Sequence, residues 1–120
     1  MAKQHYKVAL DLLQRALDVE YQFITHYPHL AIMLHDEEMV SELQTLGEDS
    51  IKHADIVANA ITKLGGVPSI PIIAALPESM DLKEFFHKQL ELEKEAYSLH
   101  TQAAENIGKE LEYSFREIAE

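Results

Sequence analysis

The sequence predicts an all-α fold: an antiparallel four-helix bundle with one long crossover between the second and third helices and an incomplete fourth helix. Three observations carry that reading. Apolar residues recur at three- and four-residue spacing over long stretches. Helix start and stop signals bracket those stretches. Gly65, Gly66, Pro68, Pro71 and Pro77 gather in one region, which separates two helical halves. Two hairpins of helices joined by one such connection build a bundle of this topology. At 120 residues with 47% hydrophobic side chains, residues 1–120 are expected to form a single domain with a true core.

The first helix is expected from residue 3 to about 35. Tyr6, Leu10, Leu13, Leu17, Glu20, Ile24, Tyr27, Ala31 and Leu34 fall on one face of it. Pro28 interrupts that pattern and removes one backbone hydrogen bond, which predicts one bent helix, because the apolar phase resumes at Ala31 and Leu34. His35-Asp36-Glu37-Glu38 reads as a turn followed by an acidic first turn, suited to the positive end of a helix dipole. The second helix then runs to about Leu64, with Met39, Leu43, Leu46, Ser50, His53, Val57, Ala60 and Leu64 as its stripe, and stops at Gly65-Gly66.

Residues 67 to 79 form the long connection. Ser79 or Asp81 caps the third helix, whose stripe is Leu82, Phe86, Gln89, Glu93, Ala96, His100, Ala103 and Ile107. Phe85 and Phe86 are both expected in the core. Gly108 is expected to end this helix, and a fourth starts near Lys109 with Leu111, Phe115 and Ile118 on its apolar face.

Composition narrows the function. A net charge of −11 repels nucleic acid and anionic membranes and suits a protein that handles cations. With no cysteine, disulfides and thiolate metal sites are excluded, so any metal must be held by Glu, Asp and His. The longest apolar run, Ile72 to Leu76, is far too short to span a membrane, and no basic-then-apolar leader opens the chain. The expected compartment is the cytoplasm.

Three ionisable residues interrupt the apolar stripes: Glu20, His53 and Glu93. Burying such groups is costly unless something binds them. With the first turn at residue 36, Glu20 lies 16 positions before it and His53 lies 17 after it. At about 1.5 Å per residue the two stand level on neighbouring antiparallel helices. A metal site containing Glu20, His53 and Glu93 is therefore expected. Asp49, four residues before His53, is a further oxygen donor, and Ser50, three before, shares its face. Tyr97 and His100 follow Glu93 at four and seven residues. The pair His26/His29 reads as surface near the hairpin end.

The stretches Leu17-Asp-Val-Glu20-Tyr-Gln-Phe-Ile-Thr-His-Tyr27, Ser50-Ile-Lys-His53-Ala-Asp55, Leu64-Gly-Gly-Val-Pro68 and Leu90-Glu-Leu-Glu93 resemble the ferritin-like superfamily, most of all its bacterioferritin and rubrerythrin branches. In that family a di-iron site uses one Glu from each of the first and third helices and a Glu-x-x-His from each of the others. The resemblance implies that Glu20, His53 and Glu93 are metal ligands, and that Tyr27 lies beside the metals. It further implies non-haem iron and oxidation of Fe(II) by O2 or peroxide, in iron storage or oxidative-stress defence. Zn or Mn would suit the same donor types.

Two departures stand out. The bridging Glu of the second helix is replaced by Ser50, which predicts weaker or mononuclear binding. The fourth helix's Glu-x-x-His, expected near position 123, falls beyond Glu120. The haem-ligand methionine of bacterioferritins is replaced by Ile51, so haem bound in that manner is not expected. The rival reading is a bundle that has lost its metal and serves as a structural or interaction module. A short fourth helix would leave a broad face uncovered, so a homo-oligomer, dimer or larger, is expected.

Overall fold

The computed structural model describes residues 6–77 and 81–119, with side chains up to Lys109. The described residues form three helices and no strands: α1 (Lys7–Met33), α2 (Glu37–Lys63) and α3 (Leu82–Ala119). Helix α1 is the central element. Helix α2 packs on one side of it and α3 on the other, and both run antiparallel to it. The expected start of the first helix near residue 3 lies outside the described residues.

This central position explains the burial pattern of α1. Ala9, Leu12, Leu13, Ala16, Leu17, Val19, Phe23, Tyr27, Leu30 and Ala31 are all buried, a wider face than one stripe. Contact with two partners requires two adjoining stripes, and Leu12, Ala16, Val19, Phe23 and Leu30 supply the second. Pro28 sits within an uninterrupted α1. Gly47 of α2 lies against it: a Cβ there would stand 3.6 Å from the Pro28 ring.

The start of α2 follows the expected chemistry. Asp36 caps it, its Oδ1 accepting from the backbone N–H of Glu38 at 3.0 Å and of Met39 at 3.3 Å. Its end is a Schellman closure. Gly65 N–H donates to Thr62 and Gly66 N–H to Ile61, with Gly65 at φ 88°. At Gly66 a Cβ would lie 2.8 Å from the movable Leu10 Cδ2 and 3.0 Å from Ile61 Cγ2, so the site is tight.

The buried face of α2 differs from the expected stripe. Leu43, Gly47, Ser50, Ala54, Val57 and Ile61 face α1, whereas Met39 and Leu46 are exposed. Small residues at 47, 50 and 54 let the two backbones approach, which rotates α2 away from the purely hydrophobic stripe.

Residues 64–77 carry no helix and run along α1. The amide of Gln14 and the backbone of Ser69 exchange two hydrogen bonds, at 2.8 and 3.0 Å. Farther along, the His26 imidazole meets the Ala74 carbonyl at 3.0 Å and packs edge-on against Phe85. His26 and His29 are thus half-buried rather than free surface.

The cap of α3 is Asp81, whose Oδ1 accepts from Lys83 N–H at 2.9 Å; Ser79 lies outside the described residues. Phe85 is the anchor of this helix, buried to 1% exposure, while Phe86 is 38% exposed, contrary to the expectation that both enter the core.

The expected break at Gly108 does not occur. Helix α3 continues through it to Ala119, so the described residues show three helices where four were expected. A glycine inside a helix costs only about 1 kcal/mol relative to alanine. Among the described residues nothing lies within 4 Å of a Cβ built at Gly108, and its φ is not positive. Neither a close approach nor a left-handed turn demands glycine here. The side chains of Leu111, Phe115 and Ile118 lie outside the described residues. No described helix is long and apolar enough to cross a membrane.

Candidate metal centre

A groove of about 380 Å³ opens between α2 and α3, with α1 as its floor. Glu20, Phe23 and Tyr27 line the floor. Leu46, Asp49, Ser50 and His53 form one wall, and Glu93, Ala96, Tyr97 and His100 the other. Every residue singled out from the sequence as a ligand or as a neighbour of one borders this groove.

Glu20 is its focus. The residue is 3% exposed, though glutamate is rarely buried without a partner. Its Oε1 stands 3.6 Å from His53 Nδ1 and 3.8 Å from His100 Nε2. Both separations are too long for a hydrogen bond. Its Oε2 is buried and has no hydrogen-bond partner among the described residues. An orphaned carboxylate oxygen of this kind costs about 1–3 kcal/mol or more.

The two imidazoles are not buried, which corrects the placement of His53 on a core stripe. Its side chain is 56% exposed and that of His100 37%. The rotation of α2 that buries Ala54 turns His53 onto the groove wall. His100, read from the sequence only as a neighbour of Glu93, reaches Glu20 from the opposite wall at nearly the same distance as His53.

Glu93 occupies a different position from the one its place in the stripe suggested. It is exposed, and its Oε1 accepts a 2.9 Å hydrogen bond from the Tyr27 hydroxyl. Contacts of Tyr27 with Glu93 and of Glu20 with His100 fix the register of α3 on α1. In that register Glu93 stands seven residues from the level of Glu20, about 10 Å along the axis. Burial, the hydrogen bond to Glu93 and the charges of Glu93 and Glu20 together push the Tyr27 hydroxyl well above its ordinary range. It therefore holds its proton on Oη and acts as a donor. Tyr27 also stacks on Phe23 with ring centroids 5.4 Å apart, which fixes the ring on the floor.

Asp49 lies on the exposed rim, and Ser50 is buried at 5% exposure between α2 and α1. Tyr97 is 77% exposed at the mouth. As the side chains stand, no three carboxylate or imidazole groups among the described residues are close enough together to hold one ion. Donors sharing an ion with bonds of about 2.0–2.2 Å lie roughly 3 Å apart. Each imidazole nitrogen stands less than about 1 Å farther from Glu20 than that spacing. The orphaned Oε2 of Glu20, with an imidazole on each wall facing Oε1, is the feature of this groove that suits a cation.

A family model for the ferritin-like domain matches residues 10–120. The chain belongs to the ferritin-like family. No match was found among curated proteins or among solved structures. Within this ferritin-like chain, Glu20 and His53 are the two motif positions brought into contact. Glu93, the third, is drawn to Tyr27. The one signal in the sequence for His100 was its place on the α3 stripe, two turns after Glu93.

Proposed function

We propose that this ferritin-like chain binds non-haem iron in the groove and promotes oxidation of Fe(II) by O2 or peroxide. The observation that carries the reading is the buried Glu20 carboxylate, with an unpartnered oxygen and two imidazoles facing it. Fe(II) is the substrate. Two Fe(II) ions give up two electrons, which with two protons reduce one peroxide to two waters. Glu20 and His53 bind the ion; Tyr27 keeps Glu93 oriented toward the same groove and delivers no proton near neutral pH. The charge of −11 concentrates cations around the molecule. Zn or Mn could occupy the same donors.

A second reading, a bundle that has lost redox activity, draws on Ser50 at the bridging position and on Glu93 being tied to Tyr27. The two readings separate in an anaerobic Fe(II) titration of chelator-treated protein, followed by thermal unfolding. An ion that binds only the folded chain stabilises it by about 2.7 kcal/mol at a hundred times Kd. A gain of that order supports iron binding, and an unchanged Tm with Fe(II) and Zn(II) supports the second reading.

We also infer that copies of this chain associate through the open side of the groove. Leu46 and Tyr97 expose apolar surface there, and Phe86 and Leu90 are exposed farther along α3. Light scattering at two concentrations tests this, and a monomer at both would contradict it.

A further inference from the structure

We propose that two copies of this chain pair through an uncharged, apolar belt on the side of α1 away from the groove, formed by residues 64–77 and the second half of α1. This contact is separate from the groove-side association and involves no metal.

Charge is distributed unevenly along the chain. Charged residues make up 26% of the sequence, yet residues 21–34 and residues 64–77 contain no Asp, Glu, Lys or Arg. The first half of α1, by contrast, carries Lys7, Asp11, Arg15, Asp18 and Glu20. The two uncharged stretches lie side by side, because the His26 imidazole meets the Ala74 carbonyl at 3.0 Å. Gln14 and His26 tie the connection to α1. At 3.6 residues per turn these two straddle the side of the helix opposite Glu20.

The belt is apolar as well as uncharged. Val67, Ile70 and Ile72 on the connection and Ile32 on α1 each expose more than two thirds of their surface. Four-residue steps lead from Ile32 to Pro28 and Ile24, which border a hollow of about 380 Å³ between α1 and α2. Clustered exposure of this kind marks a contact surface. The connection also offers backbone. The N–H groups of Ile70 and of residues 72–76 have no hydrogen-bond partner among the described residues. An extended segment with unpaired donors is a template for pairing with another chain.

Charge also selects the partner. At −11, copies repel each other over most of their surface, and the belt is where that repulsion is least. A cationic partner would be drawn to the acidic surface instead. The belt calls for a surface as uncharged and apolar as itself, and a second copy supplies one in an isologous contact. From Gln14 to Leu34 the belt extends about 30 Å on a molecule 22 Å across, an outline of about 600 Å² that approaches the roughly 800 Å² per partner of a stable pair.

Ile72→Asp and Ile32→Asp test the contact from its two elements. Both side chains are exposed, so a carboxylate there charges the belt without entering the core. Light scattering of the full chain in chelator should give a wild-type mass of two chains or more, and each substitution should lower it. Hydrogen exchange should quicken across residues 67–76 in Ile32→Asp, although that substitution lies on α1. Tyr97→Asp, at the mouth of the groove, should leave exchange across residues 67–76 as in wild type. A mass unchanged by both belt substitutions, or exchange across 67–76 unaltered in Ile32→Asp, overturns the inference, whether or not Tyr97→Asp lowers the mass. A monomeric wild type overturns this contact and the groove-side association together.

Discussion

Replacing Glu20 with glutamine should stabilise the metal-free protein and abolish metal binding. Glu20 is 3% exposed with one oxygen unpartnered among the described residues. A buried charge left in that state costs about 1–3 kcal/mol or more. The opposing attraction to His53 and His100 is small. The contacts are 3.6 and 3.8 Å, and the rings are 56% and 37% exposed. Pairs so open to solvent contribute about 0–1 kcal/mol, and only when the imidazole is protonated. Glutamine keeps the shape and removes the charge, for a net gain of about 1–2 kcal/mol. In a domain of this size that is a rise in Tm of about 3–8 °C. The assay is thermal unfolding by circular dichroism at pH 7.5, with chelator and then with excess Fe(II) under argon. Wild type should gain Tm with iron and Glu20→Gln should not. A Glu20→Gln variant less stable than wild type in chelator would refute the reasoning, because Glu20 would then be a structural anchor and not a waiting ligand.

Further predictions address other links in the account. Ser50→Glu supplies a carboxylate at the bridging position and should raise the Fe(II) stoichiometry from one ion toward two; no gain in titration stoichiometry would count against the role given to position 50. Gly108→Ala should stabilise the chain by about 0.5–1 kcal/mol, since α3 is continuous there and the added methyl meets nothing described; a loss of stability in urea unfolding would point to a turn. The folded Tyr27 hydroxyl is pushed up from the ordinary value of 10.0. Its contribution to stability is complete below about pH 10 and is lost as pH rises further, because the unfolded tyrosine ionises first. Tyr27→Phe should flatten the fall in stability above pH 10, and an unaltered alkaline slope would argue against it.

Several parts of this structure were legible in the residues. Asp36 before an acidic turn and Gly65-Gly66 after Lys63 are local signals, and the backbone uses both as expected. The pairing of Glu20 with His53 needed only the position of the first turn, since antiparallel helices share one rise per residue. The rotation of α2 was hidden because hydropathy rewards large apolar residues. What faces α1 includes Gly47, Ser50 and Ala54, chosen for smallness. The double-sided burial of α1 was hidden for a related reason: a single stripe does not say how many neighbours an element has. Glu93 shared a stripe with His100, and stripe membership alone did not say which of them would stand level with Glu20. Gly108 misled because glycine marks a helix end only where a positive φ or a close approach requires it.

The most direct measurement is anomalous diffraction at the iron edge from crystals loaded with Fe(II) under argon. The account predicts a peak on the groove floor, about 2.0–2.2 Å from a Glu20 carboxylate oxygen and within ligand distance of His53. Iron-loaded crystals with no peak at Glu20, or with iron only on the acidic surface, would contradict it.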